Sequence, residues 1–249
     1  MSGHSKWATI KRKKGAQDAK RSQMFAKLLR AVEVAAREGG PNVEGNATLA
    51  SAVEKARDYS VPLDNIDRAI KRAAGQADGA KFEEVLYEGY GPGGVAVIVE
   101  AMTDNRNRTG QEVRHAFTRA GGNLADPGSV AWQFDRRGLI ILEKDTAPDE
   151  DRLLELIMEA GADDLRDGGD AWEIVTEPAD LRSVRTALEE GGVQVTSGEL
   201  VMLPQNTVPV GADHAGQVLR LIEALEDLED VQNVYSNFDI PEEILAGVG

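Results

Sequence analysis

Leu139-Ile140-Ile141-Leu142-Glu143 opens, and Val193-Gln194-Val195-Thr196-Ser197-Gly198-Glu199-Leu200-Val201-Met202-Leu203 closes, the stretch whose reading decides the fold. Between these two strand-like runs the spacing of apolar residues predicts a helix over Asp149–Ala160, strands near Asp164 and over Trp172–Thr176, and a helix over Pro178–Glu190. The order is β-α-β-β-α-β, a compact ferredoxin-like α+β unit. Upstream, Glu84–Glu88 and Val95–Ala101 read as strands and Thr109–Ala120 as a helix buried through Val113, Phe117 and Ala120; Val130-Ala131-Trp132-Gln133-Phe134 alternates like a further strand. This first set lacks a final helix and strand. Asp213–Asp227 and Asp230–Ser236 supply them after the second unit has closed, so one α+β domain is expected to be inserted in another.

Further toward the N-terminus the period is helical throughout. Phe25, Leu28, Leu29, Val32, Ala35 and Ala36 form one stripe, which Gly39-Gly40-Pro41 stops. Lys20, Lys27, Arg30 and Arg37 fall opposite that stripe and are expected to face solvent. Asn46 suits the cap of a helix carrying Leu49, Val53 and Ala56, and Asp64 the cap of another that buries Ile66 and Ile70 and ends at Gly75. Gln76-Ala77-Asp78-Gly79 is polar and separates helical from strand periodicity. The expected division is a basic three-helix domain over 1–79, a discontinuous α+β domain over 80–136 and 205–240, an inserted α+β domain over 137–204, and a tail over 241–249.

The 249 residues carry a net charge of −15, which ordinarily repels a phosphate polymer, but the charge is unevenly distributed. Residues 1–79 hold 15 Lys/Arg against 9 Asp/Glu, net +6, and residues 80–249 hold 13 against 34, net −21. Within the first 30, Lys6, Lys11, Arg12, Lys13, Lys14, Lys20, Arg21, Lys27 and Arg30 are opposed by Asp18 alone. Such asymmetry points to a polyanionic partner. The chain has no Cys, which removes disulfides, thiolate metal sites and cysteine nucleophiles. No apolar run is long enough to span a bilayer and no signal peptide is visible, so a cytoplasmic location without membrane contact is expected.

Enzymatic signatures are weak. Gly89-Tyr90-Gly91-Pro92-Gly93-Gly94 satisfies G-x-G-x-x-G, but that fingerprint needs a helix after the glycines, and Val95–Glu100 reads as a strand. A strand-connecting loop is expected instead. His4, His115 and His214 are scattered, and Asp163, Asp164, Asp167 and Asp170 do not follow the spacing of a calcium loop. No cofactor, metal, small-molecule substrate or catalytic group is expected.

Two cationic segments remain. The block Lys11-Arg12-Lys13-Lys14 repels itself unless solvent or a polyanion relieves it, and Lys6, Lys20, Arg21 and Lys27 extend it. Trp7, flanked by cations, suits stacking on an unpaired base and equally an anchor to the helical core. The second segment, Asp104-Asn105-Arg106-Asn107-Arg108-Thr109, enters a helix that also holds Arg114, His115 and Arg119. Arg106 and Arg108 can meet phosphate there, or the segment can be an ordinary helix cap in which Asp104 neutralises its neighbours.

These residues also carry a resemblance. Gly3-His4-Ser5-Lys6-Trp7, Asp18-Ala19-Lys20-Arg21, Ala36-Arg37-Glu38-Gly39-Gly40, Tyr87-Glu88-Gly89-Tyr90-Gly91-Pro92-Gly93-Gly94, Thr103-Asp104-Asn105-Arg106-Asn107-Arg108-Thr109 and Gly128-Ser129-Val130 resemble blocks of the YebC/PmpR family, whose mitochondrial relative is TACO1. The resemblance implies three domains, one helical and two α+β, and nucleic-acid binding without catalysis. Members divide between DNA-binding transcriptional regulators and translation factors that act on the ribosome, through rRNA or tRNA, where consecutive prolines stall synthesis. The first is the expected function and the second its alternative. Val43-Glu44 and Thr48–Ser51 depart from the family pattern and leave the second helix less cationic. No helix is expected to show the Asn/Gln/Arg face of a major-groove reader.

Overall fold

The structure, a computed structural model, describes residues 18–75, 81–241, 243 and 244. Gln76–Gly79 lies outside them. The chain folds into two compact units: Met1–Val34 with Gln76–Asp135 and Leu203–Gly249, and Ala35–Gly75 with Arg136–Met202. The N-terminal helix, α1 (Asp18–Gly39), contributes its first part to one and its last turn to the other.

The first unit is built on a four-stranded antiparallel sheet of order β3-β1-β2-β9, from β1 (Glu83–Tyr90), β2 (Ala96–Thr103), β3 (Asn123–Ala125) and β9 (Val231–Ser236). As expected, its last strand arrives after the intervening domain; the short β8 (Val208–Pro209) pairs in parallel with β10 (Phe238–Asp239). Two helices, α4 (Arg106–Arg119) and α7 (Ala212–Glu226), cover one face. Val97, Val99 and Ala101 alternate inward from β2 to meet Val113 and Phe117 of α4 and Val218, Leu221, Ile222 and Leu225 of α7. Phe117 is fully buried and lies against Gly89, where a β-carbon would come within 2.6 Å of its ring. The glycine is what lets α4 approach β1 so closely. The G-x-G-x-x-G stretch is a hairpin connection: Pro92–Gly94 forms a single 3₁₀ turn, Gly93 and Gly94 take positive φ, and a strand follows at Ala96. The loop expected from the sequence is what forms.

Val130–Phe134 is not a strand. Ala131–Gln133 is a 3₁₀ turn, and β4 runs as one strand over Phe134–Glu143. The cause is Glu88, a buried carboxylate that accepts the backbone N–H groups of Gly128, Val130 and Ala131 at 2.6–2.8 Å and curls the segment around itself. Burial alone would raise the Glu88 carboxyl, but these three donors outweigh it and hold the group below its usual range. The turn leaves Trp132 exposed, its indole N–H donating to Ser129 O at 3.1 Å.

The second unit contains β4, α5 (Glu150–Met158), β5 (Ala162–Asp167), β6 (Ala171–Thr176), α6 (Leu181–Glu190) and β7 (Ser197–Pro204). Its sheet order, β5-β6-β4-β7, is that of the β-α-β-β-α-β unit read from the sequence. Ile140, Leu142 and Ile174 from the sheet pack on Leu153, Ile157, Val184 and Leu188 from the helices. Here too lie α2 (Ala47–Asp58) and α3 (Leu63–Gly75). Asn46 caps α2 by accepting Leu49 N–H at 3.0 Å, and its amide also donates to Ala35 O and Gly40 O, tying α2 to the end of α1. Helix α3 starts at Leu63, one residue before Asp64, with Pro62 O accepting the N–H groups of Asn65 and Ile66. Asp64 therefore sits in the first turn and does not cap. Asp58 accepts a bidentate pair from Arg185 at 2.8 and 2.9 Å and the Gly198 N–H at 3.1 Å.

Candidate nucleic-acid interface

The helix α4 begins in a sequence that supplies its own cap. Asn105 accepts Arg108 N–H at 3.1 Å, and its own N–H donates to Thr103 Oγ1 at 2.8 Å. The Thr103 and Thr109 hydroxyls, both buried, donate to Asp230 Oδ2 at 3.0 and 2.7 Å. Asp230 stands just before β9, and its exposure is 2%. Such a buried carboxylate requires partners, and two further ones are guanidinium groups. Arg108 Nη2 reaches Asp230 Oδ2 at 2.6 Å, and Arg30 Nη1 reaches Oδ1 at 3.0 Å. Burial pushes the Asp230 carboxyl up, but hydrogen bonds from Arg108, Thr109 and Thr103 prevail and hold it below the usual carboxylate range.

The structure thus joins two cationic segments that are far apart in the chain. Arg30, from α1, also pairs with Glu229 at 2.7 Å and lies over the Phe82 ring at 5.1 Å. Arg108 bridges back to Asp104 at 3.0 Å. Arg106 remains 66% exposed, with Glu83 at 3.7 Å.

Lys20 and Lys27 of α1 are held in a similar way. Lys20 pairs with Glu223 at 2.5 Å, which raises the Lys20 pKa. Gln23 donates to Asp227 O at 2.6 Å and Lys27 to Glu226 O at 2.5 Å. These carbonyls belong to the C-terminal end of α7, where unpaired oxygens and the negative pole of the helix favour cations. Of the cations expected to be solvated, Lys20 and Lys27 therefore lie on the acidic end of α7 and Arg30 on Glu229 and Asp230, while Arg37 is half-buried in the second unit. Arg21 is exposed, its guanidinium 5.3 Å from the Phe25 ring. Lys6, Trp7, Lys11, Arg12, Lys13 and Lys14 lie outside the described residues.

Beyond Arg108, α4 presents Asn107, Gln111, Arg114, His115, Thr118 and Arg119 as exposed residues. No side-chain hydrogen bond or ion pair joins Asn107, Gln111, Arg114, His115 or Arg119 to another described residue. The expectation that no helix carries an Asn/Gln/Arg face is corrected here: burial of Val113, Ala116 and Phe117 turns that set outward. Sequence reasoning also missed Asp230 and Thr103. Asp230 is separated from Arg108 by 122 positions, and nothing local marks it as the partner.

Other sites offer less. In the second unit Glu54, Arg57, Arg182, Arg185, Thr186 and Glu189 line an open, mixed-charge cleft of about 240 Å³. Among the described residues no cluster of His, Asp or Glu is arranged to hold a metal ion, and no helix is long and apolar enough to cross a membrane.

An α+β protein with helices over two antiparallel sheets, and with cations gathered around one buried carboxylate, is the class these observations define. The chain matches the family model for the TACO1/YebC protein N-terminal domain over residues 5–76 and that for the TACO1/YebC second and third domain over residues 82–238. It belongs to the TACO1/YebC family. It is 56% identical to a "Probable transcriptional regulatory protein" of Mycolicibacterium smegmatis, over 99% of this chain and 98% of that one. It is 53% identical to a protein of the same description from Thermobifida fusca, over the full length of both. The crystal structure of a conserved hypothetical protein from Aquifex aeolicus is similar, with a TM-score of 0.83, 48% identity, and coverage of 92% of this chain and 94% of that one.

Proposed function

We propose that the protein is a non-enzymatic, cytoplasmic regulator of gene expression that binds DNA and acts on transcription. The observation that carries this reading is the shared carboxylate: Arg30 and Arg108 converge on Asp230, so the N-terminal helix is joined to the 104–109 segment and to the exposed Arg114 and Arg119 of α4. The description of its relatives as probable transcriptional regulatory proteins supports the same level of action. In this reading Lys6, Trp7, Lys11, Arg12, Lys13, Lys14, Arg21, Arg106 and Arg108 grip the nucleic acid. Lys20, Lys27 and Arg30 neutralise the acidic end of α7 and the start of β9, so that a polyanion can approach.

The test is binding of the full chain to short duplex DNA across a salt series. Replacing Lys11, Arg12, Lys13 and Lys14 by Ala should weaken binding to unrelated sequences and flatten its salt dependence by roughly 0.9 in log–log slope per lost phosphate contact. Failure of the unmodified chain to bind duplex DNA in dilute salt overturns the reading. Sucrose-gradient fractionation addresses the alternative: co-migration with ribosomes would place the protein in translation, on rRNA or tRNA.

A further inference from the structure

We propose that the outward stripe of α4 reads base edges in the major groove of duplex DNA, with Asn107, Gln111 and Arg114 as the specificity-determining residues. The inference rests on the DNA-binding reading above and adds to it a surface, a mode and a division of labour. At 100° per residue, positions 107, 111, 114 and 118 fall within about 60° of one another, so Asn107, Gln111, Arg114 and Thr118 form a single line along the helix. All four are exposed. From the first to the last the stripe covers about 16 Å, roughly five base-pair steps.

The chemistry of this line is that of base recognition. Asn and Gln offer a paired donor and acceptor that match adenine, and Arg a fork that matches guanine. The side chains of Asn107, Gln111 and Arg114 have no hydrogen-bond or ion-pair partner among the described residues, so their polar ends are open to solvent and to a ligand. Arg108, His115 and Arg119 flank the stripe on one side and Arg106 lies on the other, all exposed, where phosphates on either side of a groove would run. Of the four arginines of α4, Arg106 and Arg108 are paired with Glu83, Asp104 and Asp230, while Arg114 and Arg119 have no side-chain partner among the described residues and remain available in a chain of net −15. Charge complementarity therefore selects a polyanion. A helix presenting a line of base-reading groups suits the wide major groove of DNA; the corresponding groove of double-stranded RNA is too narrow to admit it.

The platform is also rigid. Its inner face is set by Val113, Ala116 and Phe117, and its first turn is fastened by Asn105 and by the Arg108–Asp230 contact. Rigid support of this kind holds contacting side chains in register.

The experiment is selection of bound sequences from a random duplex pool by the full chain, followed by affinity measurement on the selected and on scrambled duplexes. The unmodified protein should enrich a motif of about five base pairs. The triple variant N107A/Q111A/R114A should lose the preference, by about 5- to 150-fold for each base contact removed, while still binding scrambled duplex. R114K separates reading from charge: it should keep the salt dependence of the parent and lose preference at one position. Far-ultraviolet circular dichroism and a urea midpoint verify folding, and R114K stands in where the triple variant is unstable. Enrichment of the same motif by the triple variant, or binding of duplex by the parent with no motif at all, overturns the proposal and leaves DNA binding intact. Absence of any duplex binding by the parent overturns both, and preference for RNA hairpins over duplex moves recognition to RNA and overturns it as well.

Discussion

Two cationic helices of this molecule have similar charge in sequence and different charge in space. The described cations Lys20, Lys27 and Arg30 of α1 lie on Glu223, the Glu226 carbonyl, Glu229 and Asp230. Arg114 and Arg119 of α4 point outward with no described partner. An acidic protein can therefore display local positive charge: the cations of α1 neutralise nearby acid, and Arg114 and Arg119 of α4 are left without a partner among the described residues. The comparison also shows that a count of positive residues locates available charge poorly, because the counter-charge on α1 comes from about 200 residues away.

Both helices depend on Asp230, so removing its carboxylate should have the largest effect. Asp230→Ala leaves two guanidinium groups and two buried hydroxyls without their common acceptor and should cost about 3 kcal/mol in urea unfolding. Asp230→Asn, which keeps the volume and one acceptor, should recover part of that loss. An Asp230→Ala protein as stable as the parent would show that the two cationic segments are not held together by this group.

A smaller loss, about 2 kcal/mol, is expected for Glu88→Gln, which removes the charge from the acceptor of the Gly128, Val130 and Ala131 N–H groups and sets an amide NH2 against at least one of them. The same two carboxyls set an acid limit. Both are held below their ordinary values of 3.8 for Asp and 4.5 for Glu, so the unfolded chain binds protons first as the pH drops. Their stabilising contribution is complete above those values and is lost as pH falls through the depressed ones. Urea midpoints measured from about pH 6 to about pH 3 should decline, and the decline should be shallower in Asp230→Asn and Glu88→Gln.

Next in size is the effect that distinguishes the helices in binding. Arg119→Ala should lower duplex affinity about five-fold at 0.15 M salt and reduce the salt slope by about 0.9, with no change in stability. The smallest effect is expected on α1: Lys20→Ala and Lys27→Ala should each alter stability by less than about 1 kcal/mol and leave the salt slope unchanged. A slope that drops equally in Lys20→Ala and Arg119→Ala would erase the distinction, because both cations would then be meeting phosphate.

The sequence made a good part of this legible. The helix expected over Pro178–Glu190 forms as Leu181–Glu190, and the one expected over Asp213–Asp227 forms as Ala212–Glu226. The strand Asp230–Ser236 does return to complete the first sheet. Asn46 caps its helix as its side chain and position suggested. Alternation misled at Val130–Phe134, where the pattern of a strand is overridden by the distant carboxylate of Glu88. The outward line on α4 was missed as well. Arg106, Arg108, Arg114 and Arg119 stood out as charge, while Asn107 lay before the helix expected over Thr109–Ala120; the helix forms over Arg106–Arg119 and so brings Asn107 into line with Gln111 and Arg114.

Local pattern alone missed the edge strand Asn123–Ala125 but was enough for the helices and most of the strands, the β-α-β-β-α-β unit and the electrostatic contrast between the two parts of the chain. These follow from apolar spacing and from counting, which need only near neighbours. Which of the described cations remain unpaired and which carboxylate binds two helices together were decided by tertiary contact. Coulomb attraction and burial act between groups close in space, and Arg30, Arg108 and Asp230 become neighbours only when α1, α4 and β9 meet.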